Sequence, residues 1–365
     1  MFRIALFVIS GLLLSGSAGA FGEPRIDWQA QTLRLIDRGG AYGRMLRLPD
    51  GALFFVCERS GKIWARQSLD AGSTWTDAQE VARWQDGSLA NPELLLLRDG
   101  ALLCFHNRRP REKSKAPYAI AVSRLEKGAS AWSAPDVLYE AGSERDSGCW
   151  EPAAVQLPSG EIQLFFANES PYRKSHEQEI TLMRSTGGGR LWGTPERVGF
   201  RAGHRDGMPV PLLLNDGSGI AVAIEDNGLA GAFKPVILFT ALTDSWHSGT
   251  VSGKHPRRWG ALTAPLPAQT YAGAPYLRQM ATGETVLSFQ RSDDGEIAHS
   301  RTAVCAGDKQ ARGFGIITYP FPETPGTSQL WASLCAKDAR TVTALATVTV
   351  NGVRGVWSVD GHLER

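Results

Sequence analysis

"AVQLPSGEIQLFFANE" (Ala154–Glu169) is two apolar runs joined by Pro-Ser-Gly, the signature of a β-hairpin. The same design recurs in "RMLRLPDGALFFVCE" (Arg44–Glu58), "ELLLLRDGALLCFHN" (Glu93–Asn107), "PLLLNDGSGIAVAIED" (Pro211–Asp226) and "YLRQMATGETVLSFQ" (Tyr276–Gln290). A sixth, degenerate copy spans Gln329–Val348 and turns at Lys337-Asp338. The turn glycines Gly51, Gly100, Gly160, Gly217 and Gly283 return every ~50–65 residues, a period suited to propeller blades. No long apolar stripe of helical period competes with this pattern.

Between the hairpins lies a second element. "SLDAGSTW" (Ser68–Trp75) has the form S-x-D-x-G-x-T-W; "STGGGRLW" (Ser185–Trp192) and "SRLEKGASAW" (Ser123–Trp132) are looser relatives. The Asp can bond turn N–H groups, the Gly supplies positive φ, and the Trp packs beneath the hairpin. These turns are scaffold. Two hairpins per repeat make a four-stranded sheet, so the chain is expected to be all-β, a six-bladed β-propeller.

The repeat also locates candidate chemistry. Nine and eight residues before the turn glycines stand Tyr42-Gly43, Asn91-Pro92, Glu151-Pro152, Met208-Pro209 and Ala274-Pro275. A proline suits the first residue of an innermost strand, where no ladder donor is lost. Counting forward, Asn168-Glu169 and Glu225-Asp226 stand eight and nine residues after Gly160 and Gly217. Both counts return to the same end of the hairpin. Glu151 and Glu225 should therefore rim one mouth from adjacent blades, the pair of carboxylates that glycoside hydrolysis uses. Ordinary strand-end acids would occupy the same positions.

Composition narrows the partners. With 39 basic and 37 acidic residues, the net charge of +2 suggests neither nucleic acid nor an anionic membrane. The five cysteines have no CxxC or metal-ligand spacing, and Cys57 and Cys104 read as buried small hydrophobes. The histidines have no HxxH or HxH spacing, so neither a catalytic metal nor another cofactor is expected. Residues 1–20, with Arg3 ahead of an apolar run and Ala18-Gly19-Ala20 at the end, read as a cleavable secretory signal peptide. The expected product is a secreted or periplasmic monomer with residues 21–365 as a single propeller domain, free of the membrane after cleavage.

The "SLDAGSTW" turn resembles the Asp box, or BNR repeat, of the sialidase superfamily. Within it, "WEP" (Trp150–Pro152), "GMPV" (Gly207–Val210) ahead of "IE" (Ile224-Glu225), and "GAPY" (Gly273–Tyr276) resemble glycoside hydrolase family 93, the exo-α-1,5-L-arabinanases. That resemblance implies a six-bladed propeller acting on an oligo- or polysaccharide from its chain end without a metal. It implies Glu151 as nucleophile and Glu225 as acid/base. The "IEDNG" that follows (Ile224–Gly228) departs from the aromatic those enzymes tend to carry. Sialidases are the alternative, but Ala41 stands where their R-I-P arginine would be, leaving Arg44, Arg108, Arg109, Arg205 and Arg291 as substitutes. A non-catalytic carbohydrate- or protein-binding propeller, or another polysaccharide-cleaving enzyme, is also open, because the fold alone licenses no activity.

Candidate substrate contacts are Arg44, Asn91, Glu93, Trp150, Arg205, Tyr271 and Tyr276. Arg44 and Glu93 both lie seven residues before their turn glycines and are expected to pair inside the channel. Trp150 is placed to stack on a sugar or pack in the core, and Tyr271 and Tyr276 flank the fifth-blade entrance. "HNRRPREKSK" (His106–Lys115) reads as a solvated basic loop near the mouth.

Overall fold

The computed structural model describes residues 22–112 and 114–365. The proposed signal peptide lies outside them. Six antiparallel sheets follow one another along the chain. Their first strands are Ala41–Arg47, Gly87–Leu96, Cys149–Gln156, Asp206–Leu213, Tyr271–Gln279 and Leu330–Ala336. Each first strand contacts the next, and the sixth contacts the first, so together they line the channel of a six-bladed propeller. Regular helix is confined to 3-10 turns, and no helix among the described residues is long and apolar enough to cross a membrane.

Blade 6 departs from the expected pair of hairpins. Its strands Leu330–Ala336, Thr341–Val350 and Val353–Glu364 are completed by Arg25–Trp28 and Arg34–Arg38, which both pair with Val353–Glu364. Segments far apart in sequence thus close the ring. Blade 5 is also irregular: Thr318 supplies only a bridge to Val304 outside its third strand.

Second strands are buried on both faces because each blade is covered by two neighbours. Every residue of Ile162–Asn168 is buried, as is nearly all of Gly219–Asp226. The Asp-box turns lie at the blade end carrying the hairpin turns, away from the mouth. In the first, Asp70 accepts the Thr74 N–H at 2.8 Å and its hydroxyl at 2.6 Å, while Gly72 adopts φ +91°. The tryptophans do more than pack under their own hairpins. Trp132, Trp192 and Trp246 pack tilted or edge-on against Phe54, Phe105 and Phe165 of the preceding blades, and Trp75 packs where blade 1 meets blade 6. "DSWHS" (Asp244–Ser248) plays the same part for blade 4, with Asp244 accepting the Ser248 N–H at 2.9 Å. Trp246 is 2% exposed, so Trp246→Ala is expected to lower unfolding free energy by about 3–5 kcal/mol in denaturant titrations.

All five cysteines are buried and free, and burial pushes the Cys335 thiol up to about 11. They pack as small hydrophobes, as expected for Cys57 and Cys104.

Candidate active site

The six first strands share a feature invisible to propensity. At one position each, Tyr42, Asn91, Glu151, Met208, Ala274 and Trp331 adopt φ between 48° and 54°. Each pairing register shifts there, as between Trp150 and Ala153 and between Gly207 and Val210. These are β-bulges within the strands rather than at their first residues, correcting the expectation for the prolines that follow. None of the six is glycine, so each costs on the order of 1–2 kcal/mol. The ladder interruption re-aims the side chain, and the six bulges make a ring facing the channel mouth.

The strain is offset at five of the six by a cap on the bulge N–H. Asn91 donates to Glu58 Oε2 at 2.8 Å, Glu151 to Asn107 Oδ1 at 2.9 Å, and Ala274 to Glu225 Oε2 at 2.7 Å. Tyr42 donates to Thr347 Oγ1 at 3.1 Å and Trp331 to Gln290 Oε1 at 2.5 Å. In each case the acceptor is a second-strand residue of the preceding blade. Blade 3 has Ala167 at this position, which offers no side-chain acceptor, so the Met208 bulge lacks the cap that the other five have; the carboxyl of Glu151 is the charged group nearest its N–H. The register aligns Glu225 with Ala167, not with Asn168 as the glycine count implied. The turn in blade 4 is one residue longer, closing from Leu214 to Gly219 where blade 3 closes from Leu157 to Glu161.

Two carboxylates therefore stand at neighbouring bulges. Glu225 lies between Gly207 and Gly273, where added Cβ atoms would come within 2.9 Å of Oε1 and 2.5 Å of Oε2. That close approach explains the glycines of "GMP" and "GAP". Burial pushes both acids up, although each keeps partial solvent access. Glu151 rises to about 8, with burial the largest cause and the charge of Glu225 next; Arg109 opposes the rise. Glu225 is relieved by the Ala274 N–H and by Arg205. Burial and the neighbouring charge thus favour one proton held between the two acids.

Both acids open onto a mouth cavity of about 840 Å³. Trp150 and Arg205 also line it, as the sequence suggested. Asn91 stands at its edge, accepting a hydrogen bond from Arg109. Tyr271 is buried beside Glu225, and an added Cβ at Gly273 would come within 2.5 Å of its hydroxyl. Arg44, Glu93 and Tyr276 do not line the cavity. They lie one layer down, 2%, 5% and 1% exposed. Arg44 Nε meets Glu93 Oε2 at 3.0 Å, and the Tyr276 hydroxyl donates to Glu93 Oε1 at 3.1 Å. Above them Tyr42, Met208, Ala274 and Trp331 pack together and close the floor. Their assignment as substrate contacts is therefore corrected to a channel plug.

Sequence reading named Arg109 only as a substitute arginine for a sialidase and did not place the cavity's other walls. Arg109 comes from "HNRRPREKSK", of which His106–Pro110 is strand rather than loop and His106 is fully buried. Arg109 lies over Trp150 at 5.5 Å. Glu169 is ion-paired with Arg205 and accepts from Gln178 at 3.2 Å. Tyr118 and Phe233 add aromatic surface. Alternation along Leu102–Pro110 was the available signal: Arg109 sits two residues beyond Asn107, the cap of Glu151. Among the described residues no group of three His, Cys, Asp or Glu is placed to hold a metal.

Residues 100–296, just over half of the chain, match the BNR repeat-like domain. The chain is similar to the family 93 α-L-arabinofuranosidase of Fusarium graminearum solved with arabinobiose: TM-score 0.69 and 15% identity, over 92% of this chain and 94% of that one. It is similar to the Penicillium chrysogenum α-L-arabinanase complexed with arabinobiose at TM-score 0.64 and 16% identity, over 92% and 96%. A Streptococcus pneumoniae sialidase follows at 0.60 and 10%, over 91% and 70%. No protein of curated function matches the sequence. At these identities the likeness establishes the six-bladed fold.

Proposed function

The chain belongs to the BNR repeat-like domain family, and we propose that it is an exported, monomeric, exo-acting glycoside hydrolase that cleaves arabinan-type chains with retention of configuration. The observation that carries this reading is the pair Glu151 and Glu225, half-buried on neighbouring blades at one cavity, with Glu225 accepting the bulge N–H of Ala274 on the next blade. The charge of Glu225 acts on Glu151, which supports two acids near enough to work on one glycosidic bond; retention calls for a separation of roughly 5–5.5 Å. A cavity whose floor is closed by packed side chains suits a chain end rather than a chain interior. The family 93 enzyme and the arabinanase, both solved with arabinobiose, support the sugar class.

We assign the roles in the reverse of those expected from resemblance: Glu225, whose charge the Ala274 N–H supports, is the nucleophile, and Glu151 is the acid/base. Glu225 attacks the anomeric carbon as Glu151 protonates the departing oxygen. The resulting glycosyl ester is opened by water, whose proton passes to Glu151, restoring both groups. A sialidase mechanism lacks support. Of the five candidate arginines only Arg109 and Arg205 line the cavity, and Arg205 is paired with Glu169, while Arg44 is paired with Glu93 beneath the floor.

Incubation of the mature protein with linear α-1,5-arabinan, followed by NMR, tests the reading. Short arabino-oligosaccharides or arabinose should appear from the chain ends, with the α-anomer first. A β-anomer first overturns retention. Release of sialic acid from a sialoside, with arabinan untouched, overturns the substrate class.

A further inference from the structure

A Cβ added at Gly273 would come within 2.5 Å of Glu225 Oε2 and equally within 2.5 Å of the Tyr271 hydroxyl. The bare Cα of that glycine thus lets a carboxylate of blade 4 and a hydroxyl of blade 5 share one atom-sized gap. Tyr271 is buried and does not line the mouth cavity; Phe233, which does, packs edge-on against its ring. Any part that Tyr271 takes in the chemistry therefore passes through Glu225.

Two amides fix where the protons lie. The Trp331 N–H donates to Gln290 Oε1 at 2.5 Å, which turns Gln290 Nε2 toward Tyr271, whose oxygen accepts from it at 3.4 Å. The Tyr271 proton is left for another acceptor, and Glu225 Oε2 stands across Gly273. On the opposite side of Glu225, Gln178 Nε2 donates to Glu169 Oε1 at 3.2 Å, so the amide oxygen is the end toward Glu225 Oε1. A Cβ at Gly207 would come within 2.9 Å of both those oxygens. Donors therefore gather at Oε2, where the Ala274 N–H binds at 2.7 Å, while an acceptor stands beside Oε1.

We propose that Tyr271 is a positioning residue: its hydroxyl donates to Glu225 Oε2 beside the Ala274 N–H and holds the carboxylate so that Oε1 meets the substrate. What Oε1 does there rests on the glycosidase reading above, and the positioning holds whichever of the two acids attacks. Donors on Oε2 stabilise the ionised carboxylate, and the Gln178 oxygen accepts the proton of the neutral form. Burial pushes the Tyr271 hydroxyl up, so it stays a donor at neutral pH. Glu151 and Arg205 are the charged groups that act on the pair, Arg205 being shared with Glu169. Asp206 and Asp226 on the flanking strand ends are closed by Arg258 and Arg201, and Lys234 is spent on backbone carbonyls. On blade 5, Arg291 is paired with Asp293.

Carbon-13 NMR of protein carrying carboxyl-labelled glutamate reads the Glu225 titration without any substrate. The comparison is made in Glu151→Gln, where Glu225 titrates without its partner acid, with and without Tyr271→Phe. Loss of the hydroxyl should move the Glu225 midpoint up by about one pH unit. In arabinan assays Tyr271→Phe alone should lower kcat roughly tenfold, leave KM unchanged, and move only the limb of the pH profile that belongs to Glu225. An unmoved midpoint overturns the inference even where kcat falls, since a merely structural loss would not touch the titration, and it leaves the glycosidase reading standing. A moved midpoint in a protein that leaves arabinan intact supports the hydrogen bond and overturns the glycosidase reading alone.

Discussion

Glu225→Ala is expected to lower kcat on arabinan by on the order of 10⁴-fold or more, because it removes the attacking oxygen and no neighbouring group replaces it. Azide supplies the decisive assay. Entering the space left by the carboxylate, it attacks from the face opposite the leaving group and yields the inverted β-glycosyl azide. Glu151→Ala gives the other product, since there azide opens the glycosyl ester of Glu225 from the opposite face and restores the α configuration. The α-azide from Glu225→Ala, with the β-azide from Glu151→Ala, would exchange the two roles. The variant should stay folded: the bulge N–H of Ala274 loses one acceptor, at a cost of about 1–3 kcal/mol.

Glu151→Ala is the second large effect, a fall of about 10²–10⁴ in kcat/KM on oligosaccharides. On a glycosyl fluoride, which needs no proton on its leaving group, the first step should survive. The pH profile carries the same information. Glu151 must be protonated to act, so activity persists below about 8 and disappears as pH rises through that value. Glu225 must be ionised, so activity also disappears as pH falls through its own raised value. The bell should lose its basic limb in Glu151→Ala when the fluoride is the substrate. Stability follows the opposite logic to a salt-bridged acid. The folded chain keeps a proton on Glu151 that the unfolded chain releases, so stability declines between about pH 4.5 and 8. Glu151→Gln should flatten that decline in melting curves taken across the interval.

The blades and the pair of glutamates were legible because hairpins announce themselves locally. Apolar runs broken by Gly at fixed intervals leave few folds to consider, and counting from those glycines reached Glu151 without any three-dimensional information. The count slipped by one at Glu225, where Ser218 lengthens the turn. The bulges themselves were hidden: Tyr42, Met208 and Trp331 share no residue type, only φ near 50°. What five of the six have in common is a cap from the previous blade, a relation between repeats that no single repeat reveals. Arg109 was hidden for the opposite reason. Its neighbours in "HNRRPREKSK" are so basic that the run reads as solvent-facing, although strand alternation aims Arg109 at the mouth. Arg44 and Glu93 were correctly paired by position, but only the packed ring above them shows that they lie below the floor.

The closure of blade 6 has a kinetic meaning. Arg25 pairs with Glu364, so the strand met first on the chain has no partner until nearly all the rest has emerged. Five blades can nucleate as local hairpins, but the annulus stays split along one seam until Arg25–Trp28 and Val353–Glu364 meet. Until then the outer edge of blade 6 is an exposed template for stray strands. Both glutamates belong to blades on the far side of the ring, yet the packed floor beneath their cavity joins Tyr42 of blade 1 to Trp331 of blade 6. Catalytic competence should therefore arrive last, with the zipping of that seam, and refolding traces should show β-sheet signal recovering well before activity does.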